Sequence, residues 1–313
     1  MNKCLYCYEN LDKEIDFHPK CAKHFFGSKT APILNYSLNQ INDLAKQVVE
    51  QSVSVPGVQA KLSISLIKSI TEESNFRLTI VGAMGGNYIL KPPSEHFQEM
   101  PENEHLTMRI AESFGIKTVP SSLIRLASGE LSYITKRIDR TKNGAKIHML
   151  DMLQITESFD KYKSSYEKVG KAINNYSSNI QLDKTLFFEL IIFSFITGNN
   201  DMHLKNFSMI ENYYGWELSP SYDLLNASIV LPEDNEELAL SILGKKKKLK
   251  LSHFTEFGKG LELNDKQIHS IYSRIKILAS KSEKLIEKSF LSEKMKHEYR
   301  KLIRSRYAQL KLN

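Results

Sequence analysis

The stretch Gly198-Asn199-Asn200-Asp201-Met202-His203-Leu204-Lys205-Asn206 decides how this chain is read. Upstream of it, residues 182–196 carry a helical pattern, and the part from Leu186 to Ile196 is apolar except for Glu189 and Ser194. Downstream, residues 206–210 and 216–218 read as two short strands around 211–215, a hairpin set among helices. The chain then reaches Ser221-Tyr222-Asp223. A hairpin folds the chain back on itself, so Asp223 is expected to return beside the loop.

Phosphoryl transfer asks little covalent chemistry of a protein. It needs a carboxylate to orient the attacking hydroxyl and oxygen ligands to hold Mg²⁺ on the nucleotide phosphates. Asp201 and Asn206 stand at the Asp-x-x-x-x-Asn spacing of a kinase catalytic loop, and Asp223 is the expected second metal-binding group. Asp and Asn are common loop residues, so the spacing by itself says little. The apolar helix before it and the hairpin after it make the set specific.

The other half of such a site supplies a lysine on a strand and a glutamate on the next helix. Tyr88-Ile89-Leu90-Lys91 is an apolar strand ending in Lys91, and Glu104 opens the following helix, with Glu102 as the alternative partner. A strand-end lysine taken singly usually faces solvent, and the ordered series Lys91, Glu104, Asp201, Asn206, Asp223 argues against that here. His203 is expected to brace the loop by hydrogen bonding, since Asp201 already handles the proton.

Outward from these residues, the chain changes character near residue 140. Before it, strands are expected at 62–67, 76–81, 88–90, 122–126 and 131–135, with one helix at 104–114 stopped by Gly115. After it come long helical patterns at 150–158, 160–176, 182–196 and 265–311, the last in two or three pieces. A β-rich first half followed by a helical second half implies an α+β chain of two lobes with a cleft between them.

Residues 1–29 stand apart. Cys4-Leu5-Tyr6-Cys7, then Cys21, with His18 and His24 equally spaced about it, has the look of a zinc ribbon. Zinc takes four tetrahedral nitrogen or sulfur ligands, so Cys4, Cys7, Cys21 and either histidine would complete a set. The bland alternative is three small side chains buried for packing.

Several motifs together resemble the HipA-type serine/threonine kinases. They are Ser54-Val55-Pro56-Gly57-Val58-Gln59-Ala60-Lys61-Leu62-Ser63, Thr135-Lys136-Arg137-Ile138-Asp139-Arg140, His148-Met149-Leu150-Asp151-Met152-Leu153-Gln154, residues 201–207 and Ser221-Tyr222-Asp223. The resemblance implies a two-lobed protein-kinase-like fold related to the phosphoinositide 3-kinase lineage, with a mixed β N-lobe at 30–140 and a mainly helical C-lobe at 141–313. It implies an ATP- and Mg²⁺-dependent toxin of a bacterial toxin–antitoxin system that phosphorylates an aminoacyl-tRNA synthetase. Asp201 is then the catalytic aspartate, Asn206 and Asp223 the Mg²⁺ ligands, Lys91 the phosphate lysine, and Lys136, Arg137 and Ile138 the adenine hinge. Ser54, Val55 and Gly57 fall in the phosphate loop. Ser52 and Ser54 resemble the Ser-x-Ser autophosphorylation element of the HipT subgroup, where a phosphoserine adds nearly two negative charges.

Two departures stand out. Family members carry a longer N-terminal part that meets the antitoxin, and this sequence has the Cys-rich segment there. The resemblance therefore points to three-component HipBST-like systems, with HipB-like and HipS-like partners and DNA met only through the antitoxin. Pro56 also removes an N–H donor from the phosphate loop. The rival readings are a pseudokinase acting as a binding module and a small-molecule kinase of the same fold, which ATP turnover and phosphate on Ser52 or Ser54 would separate.

Composition sets bounds on all of this. At 313 residues and 41% hydrophobic content the chain can bury a large core, and a net charge of +7 favours a polyanionic partner. The run Lys245-Lys246-Lys247-Lys248 lacks interleaved aromatics and reads as a solvated loop sooner than a DNA contact. Three cysteines, all within the first 21 residues, argue against a disulfide framework. No N-terminal apolar leader or membrane-length stretch is present, so a cytoplasmic protein without membrane contact is expected.

Overall fold

A computed structural model describes residues 2–12, 14–50, 61–68, 76–81, 85–141 and 143–312, without the side chains of 47–50. Ser52, Ser54, Val55 and Gly57 lie outside the described residues. The chain divides into two compact units, 1–105 with 119–145 and 288–290, and 106–118 with 146–287 and 291–313.

The first unit is built on a five-stranded sheet. Its strands are β1 (Leu62–Lys68), β2 (Phe76–Ile80), β3 (Tyr88–Lys91), β4 (Ser121–Arg125) and β5 (Leu131–Lys136), in the order β2-β1-β3-β5-β4. Every strand pair is antiparallel. Leu62, Ile64, Leu78, Leu90, Leu123 and Ile134 line the buried face, and two helices cover it, α1 (Pro19–Phe26) and α2 (Leu38–Glu50). Phe25 and Phe26 of α1 pack within ring distance of Tyr88 on β3. The Cys-rich segment thus shares the core of the sheet, and Cys4, Leu5 and Ala22 are fully buried in it. Helix α3 (Met100–Phe114) starts in this unit.

Helix α2 falls where the sequence suggested only strands and loops. Its apolar positions Ile41 and Ala45 recur at a spacing of four, as a helix buried on one face requires. The expected strands and the helix ending at Phe114 are present, with α3 starting earlier, at Met100.

The second unit is helical around one element, α6 (Ile180–Thr197). Its side chains from Phe187 through Thr197 are buried on every face, as befits a helix apolar all round. Around it stand β6 (Met149–Asp151), α4 (Met152–Ile155), α5 (Tyr166–Tyr176), β7 (Ser208–Asn212), β8 (Gly215–Leu218), α7 (Ala227–Val230), α8 (Leu251–Gly260), α9 (Asp265–Lys288) and α10 (Glu293–Leu310). Strands β6-β7-β8 form an antiparallel sheet, and the β7–β8 hairpin falls where the sequence put one.

Two expectations need correction. Residues 150–158 are not one helix: Met149–Asp151 pairs with β7, and Asp151 then caps the single turn α4, its side chain accepting from the Gln154 N–H. The 160–176 helix begins only at Tyr166, because Ser165 takes the N-cap position and accepts from Lys168 N–H. The 265–311 pattern falls in two helices, within the two or three pieces expected, separated where Ser292 caps α10.

Helix α6 stops at Gly198, whose φ of 71° is left-handed and whose N–H reaches back to the carbonyls of Ser194 and Phe195. A Cβ there would run into the Leu302 side chain and lie 2.6 Å from Asn226 Oδ1. Gly198→Ala is therefore expected to cost more than about 1 kcal/mol, read as a lowered midpoint in urea unfolding. A neutral result would mean that the Leu302 and Asn226 side chains yield at no cost.

Candidate functional site

In the first unit, β3 ends in Lys91, whose backbone pairs with Tyr133 of β5. Both Lys91 and Glu104 are buried, and Lys91 Nζ donates to Glu104 Oε1 at 2.5 Å. The Lys91 ammonium also lies 5.4 Å from the centre of the Tyr133 ring. Of the two glutamates the sequence offered, Glu104 makes the pair. Glu102, two residues earlier on the helix, is half-buried, and burial raises its pKa to about 7, with a smaller push from Glu99.

Of the expected hinge residues, Lys136 ends β5 and Arg137 and Ile138 follow it. Lys136 N–H donates to Pro120 O and Arg137 N–H to Asn87 O, so both backbone donors are used inside the sheet. The Arg137 guanidinium pairs with Asp139 at 2.6 Å, and Arg140 pairs with the same carboxylate oxygen at 2.5 Å. Ile138 lies between them, half-buried.

In the second unit, the loop after Gly198 is closed on itself. The Asn206 side-chain amide donates to Asp201 O at 2.9 Å, His203 N–H donates to Asp201 O at 2.8 Å, and Asn206 N–H donates to His203 O at 2.9 Å. Leu204–Asn206 forms a single tight turn. The hairpin brings the chain back, and the Tyr222 hydroxyl bonds Ser208 Oγ at 2.6 Å and Lys205 O at 3.1 Å. Asp223, the next residue, holds a left-handed φ of 57°, an uncommon conformation outside glycine. Burial lowers the pKa of His203, and the charges of Asp201 and Asp223 both act on the imidazole in the opposite sense. The two carboxylates therefore lie close enough to the same ring for each to be felt there. His203 Nδ1 is buried with no hydrogen-bond partner among the described residues.

Sequence reasoning missed Tyr162. Its hydroxyl donates to Asp201 Oδ1 at 2.7 Å, and its ring packs edge-on to His203 with centroids 5.1 Å apart. Nothing in its spacing marks it, because it sits in the turn before α5 that was taken for helix.

At the N-terminus, Cys4, Cys7, His18 and Cys21 present ligand atoms that all lie within 4.8 Å of one another. His24 is outside this group, on the exposed side of α1 with its ring 5.7 Å from that of Tyr6. No disulfide joins the three cysteines.

The model of the HipA-like C-terminal domain matches residues 53–282, well over half of the chain. The chain belongs to the HipA-like C-terminal domain family. It is 29% identical over 275 residues to a Haemophilus influenzae protein named "Putative kinase", covering 78% of each. It is 24% identical over 213 residues to the serine/threonine-protein kinase toxin HipA of Shewanella oneidensis, covering 61% of this chain but only 46% of that protein. Among solved structures it is similar to the Shewanella oneidensis toxin–antitoxin complex of HipA, HipB and operator DNA, with a TM-score of 0.68 at 18% identity, over 86% of this chain and 70% of that one. The fold is accordingly α+β and kinase-like. No helix among the described residues is long and apolar enough to cross a membrane.

In this HipA-like chain, the raised pKa of Glu102 has a pH signature. A carboxylate whose folded pKa lies above its unfolded value lends stability that is fully present below about pH 4.5 and is lost as pH rises through about 7. Glu102→Gln should remove that slope and, at about pH 8, make the protein more stable than wild type by about 1–2 kcal/mol. Urea midpoints at about pH 5 and pH 8 measure it; parallel pH profiles for wild type and variant would contradict it.

Proposed function

We propose that this chain is an ATP-dependent serine/threonine protein kinase, the toxin of a toxin–antitoxin pair. One observation carries the reading. The Asp201 carboxylate accepts a hydrogen bond from a hydroxyl, that of Tyr162, at 2.7 Å, which is the contact a phosphoryl acceptor needs. In this reading Asp201 orients the acceptor hydroxyl and Tyr162 stands in for it, leaving when the acceptor arrives. His203 braces the ring of Tyr162 and the loop.

The donor set fits a hard cation. Asn206 spends its amide N–H on Asp201 O, which leaves its carbonyl oxygen as the ligand, and Asp223 adds a carboxylate. Mg²⁺, when bound with ATP, neutralises charge on the phosphates. Lys91, held by Glu104, supplies the positive charge for the α- and β-phosphates, and Lys136, Arg137 and Ile138 form the adenine edge. The cysteine–histidine cluster has no catalytic part in this reading.

The kinase names of the relatives support the activity, and the Shewanella complex with HipB and operator DNA supports an antitoxin partner that brings DNA indirectly. The family resemblance points to an aminoacyl-tRNA synthetase as substrate, a HipT-like regulation at Ser52 and Ser54, a HipS-like third component and a cytoplasmic setting.

Asp201→Asn is expected to abolish phosphoryl transfer, by at least about 100-fold, while ATP affinity stays within a few-fold. Radiolabelled phosphate transfer and nucleotide titration measure the two, and an equal loss of both would refute the assignment. Asp223→Ala should instead weaken nucleotide binding only when Mg²⁺ is present.

Tyr162→Phe keeps the ring on His203 and removes the competing hydroxyl. It should raise the rate of transfer to a protein acceptor at subsaturating concentration by lowering KM, with kcat little changed. A fall in kcat would instead make Tyr162 part of the machinery that positions Asp201.

A further inference from the structure

We propose that Cys4, Cys7, His18 and Cys21 bind one structural Zn²⁺ ion, which staples the N-terminal segment to the sheet and to the helix that carries Glu104. His18 is the fourth ligand.

The geometry suits zinc closely. Zn–S bonds of about 2.3 Å and Zn–N bonds of about 2.0 Å around a tetrahedron put sulfur and nitrogen neighbours about 3.5 Å apart and two sulfurs about 3.8 Å apart. Cys7 Sγ lies 3.5 Å from His18 Nδ1, Cys21 Sγ lies 4.0 Å from it, and all four ligand atoms lie within 4.8 Å of one another. A small inward movement completes the tetrahedron. Three sulfurs and one imidazole nitrogen are the donor set of a closed structural zinc site, and they leave no position for a substrate.

The histidine is already oriented for it. His18 Nε2 lies 3.0 Å from Asn10 O, a carbonyl that can only accept. The proton therefore sits on Nε2, and Nδ1 turns its lone pair toward the two sulfurs. A second-shell carbonyl that fixes the tautomer in this way is a usual companion of a ligating histidine.

The backbone is shaped around the same point. Cys4 N–H donates to Glu9 O and Tyr8 N–H donates back to Cys4 O, both at 2.9 Å, closing a tight knuckle. Tyr8 completes it with a left-handed φ of 68°. His18 immediately precedes α1 and Cys21 lies in its first turn, so the ligands join the knuckle to the helix.

The consequences run through named contacts. Leu5, inside the knuckle, accepts from Leu123 N–H of β4 at 3.3 Å. Tyr8, next to Cys7, has its hydroxyl 2.9 Å from His105 Nδ1, and His105 is the neighbour of Glu104. A metal that fixes Cys7 thus also fixes the turn of α3 from which Glu104 reaches Lys91. Binding releases the protons of the three thiols and needs no other reactant than Zn²⁺.

The test uses the full chain, prepared from zinc-replete cells without chelator. Elemental analysis should find about one equivalent of zinc per chain, and Co²⁺ exchanged into the site should give the visible absorption of a tetrahedral thiolate complex. His18→Ala and Cys7→Ser should lose the metal, and His24→Ala should keep it. Should the first two not fold, His18→Cys preserves a four-ligand set and should still take up cobalt. In wild type, metal removal should speed amide exchange at residues 2–26 and in the first turn of α3. A metal-free wild type that takes up no cobalt overturns the proposal. So does a His18→Ala chain that keeps its full equivalent, or a folded His18→Cys chain that binds none.

Discussion

The second unit depends on a single constraint: α6 is apolar on every face and must be wrapped on every face. That requirement decides where the loop after it can go. At one end Gly198 ends the helix in the left-handed conformation, where an added Cβ would meet the Leu302 and Asn226 side chains. At the other end Phe207, the residue after Asn206, packs its ring 5.4 Å from that of Phe187 on α6. Both ends of the loop 199–206 are therefore anchored to the same helix, and the polar residues between them have little freedom. Tyr166 adds a third tie, its ring 5.9 Å from Phe207 and its hydroxyl donating to Met202 O. The polar chemistry is held in place by aromatic packing beneath it. This is how a loop of Asn, Asp and His, residues that favour turns, can be as fixed as a helix.

The first unit solves a different problem. Burying an ammonium and a carboxylate together brings little net stability, because desolvation offsets most of their attraction. A well-packed apolar pair would serve the fold as well. Lys91 and Glu104 are nevertheless both buried and in direct contact, on elements fixed by strand pairing on one side and by the Tyr8–His105 contact on the other. The Lys91–Glu104 pair is better understood as a charge held ready than as a brace. That view agrees with the proposed phosphate contact and adds a reason for the N-terminal segment to pack where it does.

Much of this was legible in the sequence, and the exceptions have physical causes. The strands of the first sheet and the hairpin carry short apolar runs between turn signals, and the core helix a long apolar run, so they could be placed from pattern. The choice between Glu102 and Glu104 could not, because the expected helix opened only at Glu104; α3 starts at Met100, which puts the two residues on different faces, and only Glu104 meets Lys91. The same holds for His18 and His24. Both are three residues from Cys21, but one precedes the helix and the other lies on its exposed side. Helix α2 was missed although Leu38, Ile41, Ala45 and Val48 recur at helical spacing, because the region from residue 30 was read as sheet with one helix. Strand β6 was missed because three residues are too few to show alternation, and its partner β7 is distant in sequence. Tyr162 was invisible for a related reason: its role comes from a loop that folds against another loop, and no local periodicity records that.

The residues assigned to chemistry are also the ones that break local rules. Asp223 takes a backbone conformation that costs a non-glycine residue about 1–2 kcal/mol. His203 buries a ring nitrogen with no partner among the described residues, and Lys91 is buried against the Glu104 carboxylate and an aromatic face. Each of these would be selected against in a segment that served only to fold, since each could be relieved by a common substitution. Each unit carries such residues on a segment whose surroundings are otherwise well satisfied: Lys91 on the antiparallel sheet of the first, His203 and Asp223 above the aromatic packing of α6 in the second. Strain and unmet polar groups gathered in this way are what a rigid scaffold can tolerate when a ligand completes them. For His203, burial lowers the pKa although the two carboxylates pull the other way.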